Sequence, residues 1–244
     1  MTSGISYDAY DLRILAALEE RHFWFRSRRR IVIDALKRWF PSMRDYLEIG
    51  SGTGYVARGI AEAFPECRVV ESDPLSGGAG LRIDALNIPF AGAFDVVGAY
   101  DVLEHIADDR GALGQFRQAC RPGGGVLLTV PQHAWLWSPA DTYAHHHRRY
   151  GRQDLLARLR DGGFEILGCT SFHSLNLPLF FLRSRFLRVT GRRPEASIPA
   201  APVNGLLEQG MELDRMLIRA GCSLPWGGSL LVAARRRDLQ SCFP

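Results

Sequence analysis

The sequence predicts an α/β fold: a doubly wound, mostly parallel seven-stranded sheet with an N-terminal helical lid and a helical cap insertion. Three observations carry this prediction. Predicted strands and helices alternate between residues 46 and 130, as they do in the crossover units of parallel sheets. The segments FDVVGAY and VLLTV are almost continuously apolar, as expected of strands covered on both faces. A glycine-rich loop follows the first predicted strand, which is typical of nucleotide-binding α/β domains.

The elements of the central alternation are short apolar runs separated by turn-forming residues. Pro131 ends the last of these runs, since proline interrupts a strand within a sheet. The run at residues 81–83 is the weakest of the predicted strands. The predicted strands cover residues 46–49, 68–71, 81–83, 94–99 and 126–130, and the predicted helices cover residues 55–64 and 109–120.

Helical segments are predicted on both sides of this alternation. Residues 7–40 carry apolar side chains at helical spacing, with a break near residues 22–25. We assign residues 1–40 to a lid and 41–244 to the main domain. The later predicted elements are a long polar loop at 132–150, a helix at 153–160, a strand at 164–167, an apolar helix at 175–189, a linker at 192–202, a helix at 204–219 and a strand at 229–234. Residues 174–219 form the predicted cap.

Charge and cysteine content narrow the class of protein. The chain has 244 residues and a net charge of +4, which suits one domain with appendages and does not indicate a nucleic-acid partner. None of its five cysteines stands in a CxxC pair, which argues against a disulfide framework and fits a reducing compartment. No signal peptide is evident, and the apolar stretch at 170–182 is too short to span a bilayer. We expect a cytoplasmic monomer or homodimer.

The central functional signal is the glycine loop GSGTG at residues 50–54. Glycines there allow a tight turn and let a ligand approach the backbone. Glu71 ends the second predicted strand, where a carboxylate can accept hydrogen bonds from ribose hydroxyls, and Asp73 competes for this role. Asp84, after the third predicted strand, could hold an adenine amino group or only form a turn. The set in this order predicts a nucleoside ligand.

The residues beside the glycines indicate which nucleoside-containing ligand the loop would bind. A nicotinamide site would place a third glycine at position 55, which is Tyr55 in this chain. A bulky side chain there disfavours a pyrophosphate above the start of the helix. Glu48, just before the loop, suits a ligand with a positively charged amino-acid end. The sequence therefore favours S-adenosylmethionine over NAD.

Five segments between residues 44 and 131 are similar, in order and spacing, to one large family. LEIGSGTGYVA resembles motif I of class I S-adenosylmethionine-dependent methyltransferases, and VVESDP, IDALNIPF, FDVVGAYDVLEHI and RPGGGVLLTVP resemble their later motifs. The resemblance implies a Rossmann-like fold with an antiparallel last strand. It also implies that the glycine loop carries the methionine part of the cofactor, while the two acids hold ribose and adenine. The predicted cofactor contacts are Glu48, Gly50, Ser51, Gly52, Gly54, Tyr55, Glu71, Ser72, Asp84, Ala85, Leu86, Asp101, Val102 and Arg29.

The flanks resemble a narrower subgroup, the type-11 or type-23-like methyltransferases. EERHFWFRSRR resembles their opening segment, WLWSPADTYAHHHRRYGRQDL their stretch after the fifth strand and LPWGGSLLVAARR their last strand. This extends the likeness to most of the chain. It implies methylation of oxygen or nitrogen on a small-molecule acceptor, with natural-product, glycan and lipid-linked intermediates as candidates.

The loop at residues 132–150, where we expect the methyl acceptor to bind, is called the acceptor loop. It supplies the candidate catalytic groups. Its polar segment DTYAHHHRRY follows the fifth strand, beyond the sheet edge where ligands bind in open parallel sheets. His146 matches the histidine of the subgroup's motif and is the candidate base, with a purely structural role as the alternative. His105 and Asp141 complete the predicted catalytic group. The predicted acceptor contacts are Trp137, His145, Arg148, Arg149 and Tyr150.

Several features keep more than one interpretation. The arginines of the acceptor loop could grip an acidic group or pair with Asp141. DVLEH at residues 101–105 resembles a metal-associated cluster of ubiquinone-pathway methyltransferases, but LEH also occurs in many methyltransferases without metal, and we expect none here. Residues 23–25 could belong to a lid that brings Arg29 to the cofactor, or form a hydrophobic staple. The apolar segment near 175–189 could contact a membrane, cap the domain or join two copies.

Two other functions remain as alternatives. A Rossmann-type NAD(P)-dependent oxidoreductase would share the glycine loop, although Tyr55 counts against it. A non-catalytic S-adenosylmethionine-binding protein would share the whole cofactor site without turnover.

Overall fold

The computed structural model describes residues 15–74, 80–190 and 198–237. The strands are β1 (Asp45–Ile49), β2 (Arg68–Ser72), β3 (Phe94–Tyr100), β4 (Cys120–Pro131), β5 (Phe164–Phe172) and β6 (Ser229–Arg236). The helices are α1 (Phe23–Trp39), α2 (Tyr55–Ala63), α3 (Asp109–Ala119), α4 (Pro139–Tyr143), α5 (Arg152–Asp161), α6 (Leu177–Thr190) and α7 (Ala201–Arg219). Short 3-10 turns lie at Leu103–His105 and Ala134–Leu136.

The six strands form one mixed sheet in the order β2-β1-β3-β4-β6-β5. The first four strands in this order are parallel to one another. β6 lies between β4 and β5 and runs antiparallel to both. The α/β class and the antiparallel last strand are thus confirmed, and the carboxyl ends of β1 to β4 meet at one edge of the sheet.

The third predicted strand, at residues 81–83, is not formed. Leu81 makes only a single parallel bridge to Ser72. The chain then turns, because Asp84 accepts the backbone N–H of Leu86 at 2.9 Å and forms an antiparallel bridge with Asn87. The described part of the chain therefore has six strands instead of seven.

Two apolar clusters hold the sheet between its helical layers. Phe116 of α3 belongs to the cluster on one face. Leu36 of α1 and Met211 of α7 pack with Tyr46 on the other face. Because alternate residues of a strand point to opposite faces, Glu48 lies on the same face as Tyr46, beneath α1.

On that face, α1 begins at a histidine cap, and ion pairs join α1 to α7. His22 caps α1, its ring accepting the backbone N–H of Trp24 at 3.2 Å, so the predicted break near residues 22–25 falls at this cap. Arg30 of α1 pairs with Glu212 of α7 at 3.1 Å, and Arg215 of α7 pairs with Asp34 of α1 at 2.6 Å. These pairs fix α7 against α1. Residues 7–14 of the predicted first helix, and residues 192–197 of the predicted linker, lie outside the described residues.

Two further observations concern the described residues only. None of their helices has the length and apolar character that crossing a membrane requires. Four cysteines are described, and all four are free thiols.

Candidate functional site

The glycine loop after β1 is confined on both sides. Gly50, Gly52 and Gly54 have φ angles of 69°, 54° and 74°, in the left-handed region that favours glycine. A Cβ atom at Gly50 would lie 2.6 Å from a methyl carbon of Val102, and one at Gly54 would lie 2.5 Å from a carboxylate oxygen of Glu71. Gly50 and Gly54 are therefore required both by conformation and by space, and Gly52 is required by conformation alone.

The two acids at the carboxyl end of β2 face this loop differently. Asp73 accepts the backbone N–H of Gly52 at 2.9 Å, so it braces the loop. The carboxylate of Glu71 points across Gly54, at the start of α2. Of the two acids that competed for the ribose, Glu71 is the one whose carboxylate stands over the glycine loop.

Glu48 is a buried carboxyl group at the carboxyl end of β1. Burial raises the pKa of Glu48 to about 8, although the positive charge of Arg28 opposes the shift. The Tyr46 hydroxyl lies 3.4 Å from its carboxylate. The backbone carbonyl of Glu48 accepts a hydrogen bond from the Ser72 hydroxyl at 2.8 Å. The backbone carbonyl of Ser72 in turn accepts the N–H of Ser51 at 2.9 Å. A cation placed beside Glu48 would favour its ionised form.

The segment predicted to hold adenine forms a tight turn beside β2. Asp84 is exposed and accepts the N–H of Leu86 at 2.9 Å, while Ala85 is buried. Leu86 exposes 42 % of its surface. Asp84 therefore is a turn-forming residue, and its exposed carboxyl group also stands at the predicted adenine position.

Two neighbouring arginines of α1 have different surroundings. Arg28 forms a buried ion pair with Asp101, and its guanidinium lies 4.4 Å from the ring centroid of Trp24. Arg29, which the sequence analysis assigned to the cofactor, lies 4.2 Å above the ring of Tyr55. The sequence analysis missed Arg28, although its i,i+4 spacing from Trp24 was a usable signal.

The residues before α1 also contact the glycine loop. Glu19 is buried and accepts the hydroxyl of Thr53. Burial raises the pKa of Glu19, and the bond from Thr53 opposes this. A Cβ atom at Gly52 would lie 4.0 Å from the side chain of Leu15. The sequence analysis did not single out Glu19, since one carboxylate in a charged helical segment gives no pattern.

Asp141 is the centre of the hydrogen bonds in the acceptor loop. It is 1 % exposed and accepts bonds from the Ser138 backbone at 2.8 Å, Arg149 Nε at 2.7 Å and His146 Nδ1 at 3.0 Å. Burial alone would raise the pKa of Asp141, but the His146 bond and the Arg149 charge outweigh burial and lower the pKa to about 2. Asp141 is therefore an ionised group that orients the imidazole of His146.

The structure brings the three predicted catalytic residues together. The ring of His146 meets the ring of His105 edge-on, with centroids 4.6 Å apart. Burial, followed by the nearby His146, lowers the pKa of His105 to about 4, and its ring hydrogen-bonds to Ala144 of the acceptor loop. The sequence patterns at 101–105 and 141–150 thus belong to one constellation with Asp141.

Glu104 lies beside this constellation and is missing from the predicted site. It is fully buried, and neither carboxylate oxygen has a hydrogen-bond partner among the described residues. Burial, and next the charge of Asp101, raise the pKa of Glu104 well above its ordinary value. Ligand atoms of Glu104, His105 and His146 lie within 4.8 Å of one another, a spacing that could hold a divalent cation.

Arg148 and Tyr150 surround another buried acid. Arg148 pairs with Asp109 at 2.6 Å, and the Tyr150 hydroxyl donates to the same carboxylate at 2.8 Å. Tyr150 has no exposed surface. Their polar atoms therefore support the base of the acceptor loop, and the predicted role as acceptor contacts has no direct support from this geometry.

The other predicted acceptor contacts differ in exposure: the Arg149 side chain is nearly buried, whereas Trp137 is half-buried and His145 is exposed. Trp137 Nε1 donates to the hydroxyl of Thr142 at 3.2 Å. His145 is exposed, with a φ angle of 56°. Arg149 lies over the ring of Phe180 in α6 at 5.5 Å, in addition to its bond with Asp141. Trp137 and His145 remain predicted acceptor contacts.

Comparisons with known proteins show which proteins the chain is similar to. A family model described as a methyltransferase domain matches residues 21–168. A probable S-adenosylmethionine-dependent methyltransferase of Mycolicibacterium smegmatis is 29 % identical over 167 residues, which are 63 % of this chain and 64 % of that protein. An uncharacterised methyltransferase of a Mycobacterium species (strain JLS) is 31 % identical over 106 residues, 39 % of this chain and 41 % of that protein. The alignments thus span less than two thirds of these relatives.

Solved structures share the fold at low identity. Phosphoethanolamine N-methyltransferase 2 of Haemonchus contortus, in complex with S-adenosyl-L-methionine, superposes with a TM-score of 0.61 and 19 % identity. The superposition covers 96 % of this chain and 58 % of that one. At this identity the likeness establishes the architecture of the sheet and its helices.

Proposed function

The chain belongs to this methyltransferase-domain family, and on that premise we propose that it transfers a methyl group from S-adenosylmethionine to a small-molecule acceptor. The observation that carries the proposal is the turn after β3, which touches both halves of the site. Val102 closes over Gly50 of the glycine loop, and His105 meets His146 of the acceptor loop. One turn therefore sets the distance between the methyl donor and the candidate base.

The residues around the glycine loop fit this cofactor. Above Gly52 a Cβ atom would meet nothing nearer than Leu15 at 4.0 Å, so a ligand has room to approach the backbone there. Glu71 would accept hydrogen bonds from the ribose hydroxyls, the turn at Asp84 would face the adenine, and Glu48 would lie near the cationic amino-acid end. When bound, the cofactor supplies a methyl group already activated on a positively charged sulfur.

The N-terminal segment is the proposed lid over this site. Its support is the contact of Glu19 with Thr53 and the approach of Leu15 to Gly52. The ion pair of Arg28 with Asp101 would fix α1 against the turn after β3. The lid and cap would keep water away from the transferring methyl group.

His146 is the proposed base that takes the acceptor's proton. Its Nδ1 faces the ionised Asp141 at 3.0 Å. If Nδ1 carries the proton, the other ring nitrogen has the lone pair needed to accept one from a hydroxyl or amine. Asp141 is a positioning residue: Arg149 and Ser138 hold it, and it holds the imidazole. The acceptor oxygen or nitrogen would then approach between the turn after β3 and the acceptor loop.

A metal-assisted version of the same reaction is the second candidate. The grouping of Glu104, His105 and His146 within 4.8 Å favours it, and it would make His146 a ligand instead of a base. Dialysis against EDTA separates the two. We expect unchanged turnover, and loss of turnover restored by added Mg²⁺ or Zn²⁺ would establish the metal-assisted version.

Calorimetric titration and an activity panel test the function itself. S-adenosylmethionine and S-adenosylhomocysteine should bind the full chain with one site, and NADH fluorescence should show no binding. Incubation with a panel of hydroxylated, amino and lipid-linked acceptors should release S-adenosylhomocysteine with at least one of them. Binding of NADH in place of S-adenosylmethionine would overturn the proposal, and cofactor binding without turnover on any acceptor would favour the non-catalytic alternative.

A further inference from the structure

The outward face of α6 carries an apolar stripe. Leu179, Leu182, Phe186 and Val189 follow one another at intervals of three, four and three residues, and each exposes more than half of its surface. At 3.6 residues per turn they lie within an arc of about 80°. Ser184 and Leu187, the buried residues of α6, lie on the other side. The stripe therefore faces away from the domain.

Arginines border this stripe on both sides. On the helical projection Arg183 flanks one side and Arg185 the other, with Arg188 one turn beyond. The helix has no acidic residue, and among the described residues these three arginines form no ion pair. An apolar stripe between cationic side chains is the pattern of a helix that lies in a membrane interface.

Exposed tryptophans stand beside the same helix. Trp135 packs edge-on against Phe181 of α6, with ring centroids 5.6 Å apart. Trp135 and Trp226 both stack on His133, with ring centroids 5.1 Å and 5.2 Å away. They expose 46 % and 59 % of their surfaces. Tryptophan is enriched at the level of lipid headgroups, so this cluster extends the same kind of surface.

Charge argues against a second copy of α6 as the occupant. The apolar residues have the three-and-four spacing of a coiled-coil seam, and Arg183 and Arg185 occupy the positions that flank such a seam. In a parallel pair Arg183 of one copy and Arg185 of the other would line the same side of the seam, and in an antiparallel pair each would line the same side as its own counterpart. Like charges there repel. A negatively charged surface, in contrast, would satisfy both sides of the stripe.

We propose that α6, with Trp135 and Trp226, binds the surface of an anionic lipid bilayer. The leucines and Phe186 would enter the boundary between headgroups and acyl chains, and the arginines would contact anionic headgroups. Because Arg149 lies over Phe180 and Trp135 contacts Phe181, the docked face would adjoin the acceptor loop. The surface contains none of the residues assigned to the cofactor, so its test is independent of methyl transfer.

Flotation with vesicles tests the proposal. The full chain should float with vesicles of phosphatidylglycerol and phosphatidylcholine, should bind at least about tenfold more weakly to pure phosphatidylcholine, and should lose affinity as salt is raised. The double variant Leu179→Ser/Leu182→Ser and the double variant Arg183→Glu/Arg185→Glu should each weaken binding to the anionic vesicles about tenfold or more. Leu81→Ser is the matched control, since Leu81 exposes 48 % of its surface outside α6.

Each outcome has a distinct meaning. Circular dichroism melts should be unchanged in the variants, because the replaced side chains are exposed, and calorimetry should show unchanged S-adenosylmethionine affinity. Failure to bind anionic vesicles, or equal binding of all variants, would overturn the membrane proposal and leave the proposed function intact. A wild-type dimer that Leu179→Ser/Leu182→Ser converts to a monomer would identify a second copy as the occupant and also overturn it.

Discussion

The glycine loop and the acceptor loop meet at one edge of the sheet but are built in opposite ways. The glycine loop is shaped by missing side chains: positive φ angles and Cβ positions that neighbours would block. The acceptor loop is shaped by charged side chains gathered around buried Asp141. Cofactor binding therefore rests on backbone shape, whereas acceptor chemistry rests on a hydrogen-bond network in which each member has several potential partners. Substitutions should break the two halves separately.

The largest effect is expected in the acceptor half. His146→Ala should lower kcat by roughly 10²- to 10⁴-fold, because it removes a positioned base, with little change in calorimetric affinity for S-adenosylmethionine. Asp141→Asn should give a smaller loss and a shifted pH profile, since asparagine keeps a hydrogen bond without the charge. His147→Ala, at an exposed neighbouring position, is the control. Equal kcat for the His146 and His147 variants would remove His146 from the mechanism.

The cofactor half should respond next. A Cβ at Gly54 would displace the Glu71 carboxylate, so Gly54→Ala and Glu71→Ala should each weaken S-adenosylmethionine binding at least tenfold, about 1.4 kcal/mol. Because both act on the same carboxylate, the double variant should lose less than the sum. Gly92→Ala is the control: it has a φ of 59° but nothing within 4 Å of its Cβ position. Unchanged affinity in Glu71→Ala would mean that the ribose lies elsewhere.

Substitution of Glu48 tests whether this buried carboxyl group on the cofactor side makes the stability of the fold depend on pH. Its folded pKa of about 8 lies above the ordinary value of 4.5, so the neutral form stabilises the fold fully below pH 4.5, and this contribution is lost as the pH rises through 8. Glu48→Gln should therefore lose less stability than the wild type between pH 5 and 9, by at least about 1 kcal/mol. Denaturant unfolding without ligand measures this difference. Parallel stability curves would show that Glu48 does not titrate in this range.

The smallest effect should come from Arg29. Its contact with Tyr55 predicts that Arg29→Ala costs about 0.5 to 1 kcal/mol of stability and leaves cofactor affinity within threefold. Thermal melts and calorimetry check both. A tenfold loss of affinity would restore Arg29 to the cofactor site in which the sequence analysis placed it.

The contrast between the loops also explains what the sequence could predict. The succession of strands and helices along the chain and the position of the glycine loop follow from local spacing, because turn geometry and strand alternation are encoded within a few residues. The choice between Arg28 and Arg29 depends on which side of α1 faces Asp101, and that is decided by packing against α7 and the sheet. The strand predicted at 81–83 is reduced to a single bridge at Leu81, because the chain turns at Asp84.

Buried charges were the hardest part of the site to predict. Glu19 and Glu104 are buried, although carboxylates usually lie at the surface, and composition alone gives no reason to place them inside. Asp141 and His146 were singled out from their motif, but their direct bond depends on the capping box that Ser138 forms at the start of α4. Long-range contacts of this kind leave no periodic signal in one sequence.

The position of β6 has a consequence for the order in which the chain can mature during synthesis. The glycine loop and its partners are encoded up to residue 102, but β5 joins the sheet only through β6, and Gln132 at the start of the acceptor loop bonds to Gly228. While residues up to about 228 are still leaving the ribosome, the half that holds the cofactor can assemble, whereas the half that would take the proton still lacks β6 beside β4 and the bond from Gln132 to Gly228. Ligand capture could thus precede catalytic competence on a nascent chain.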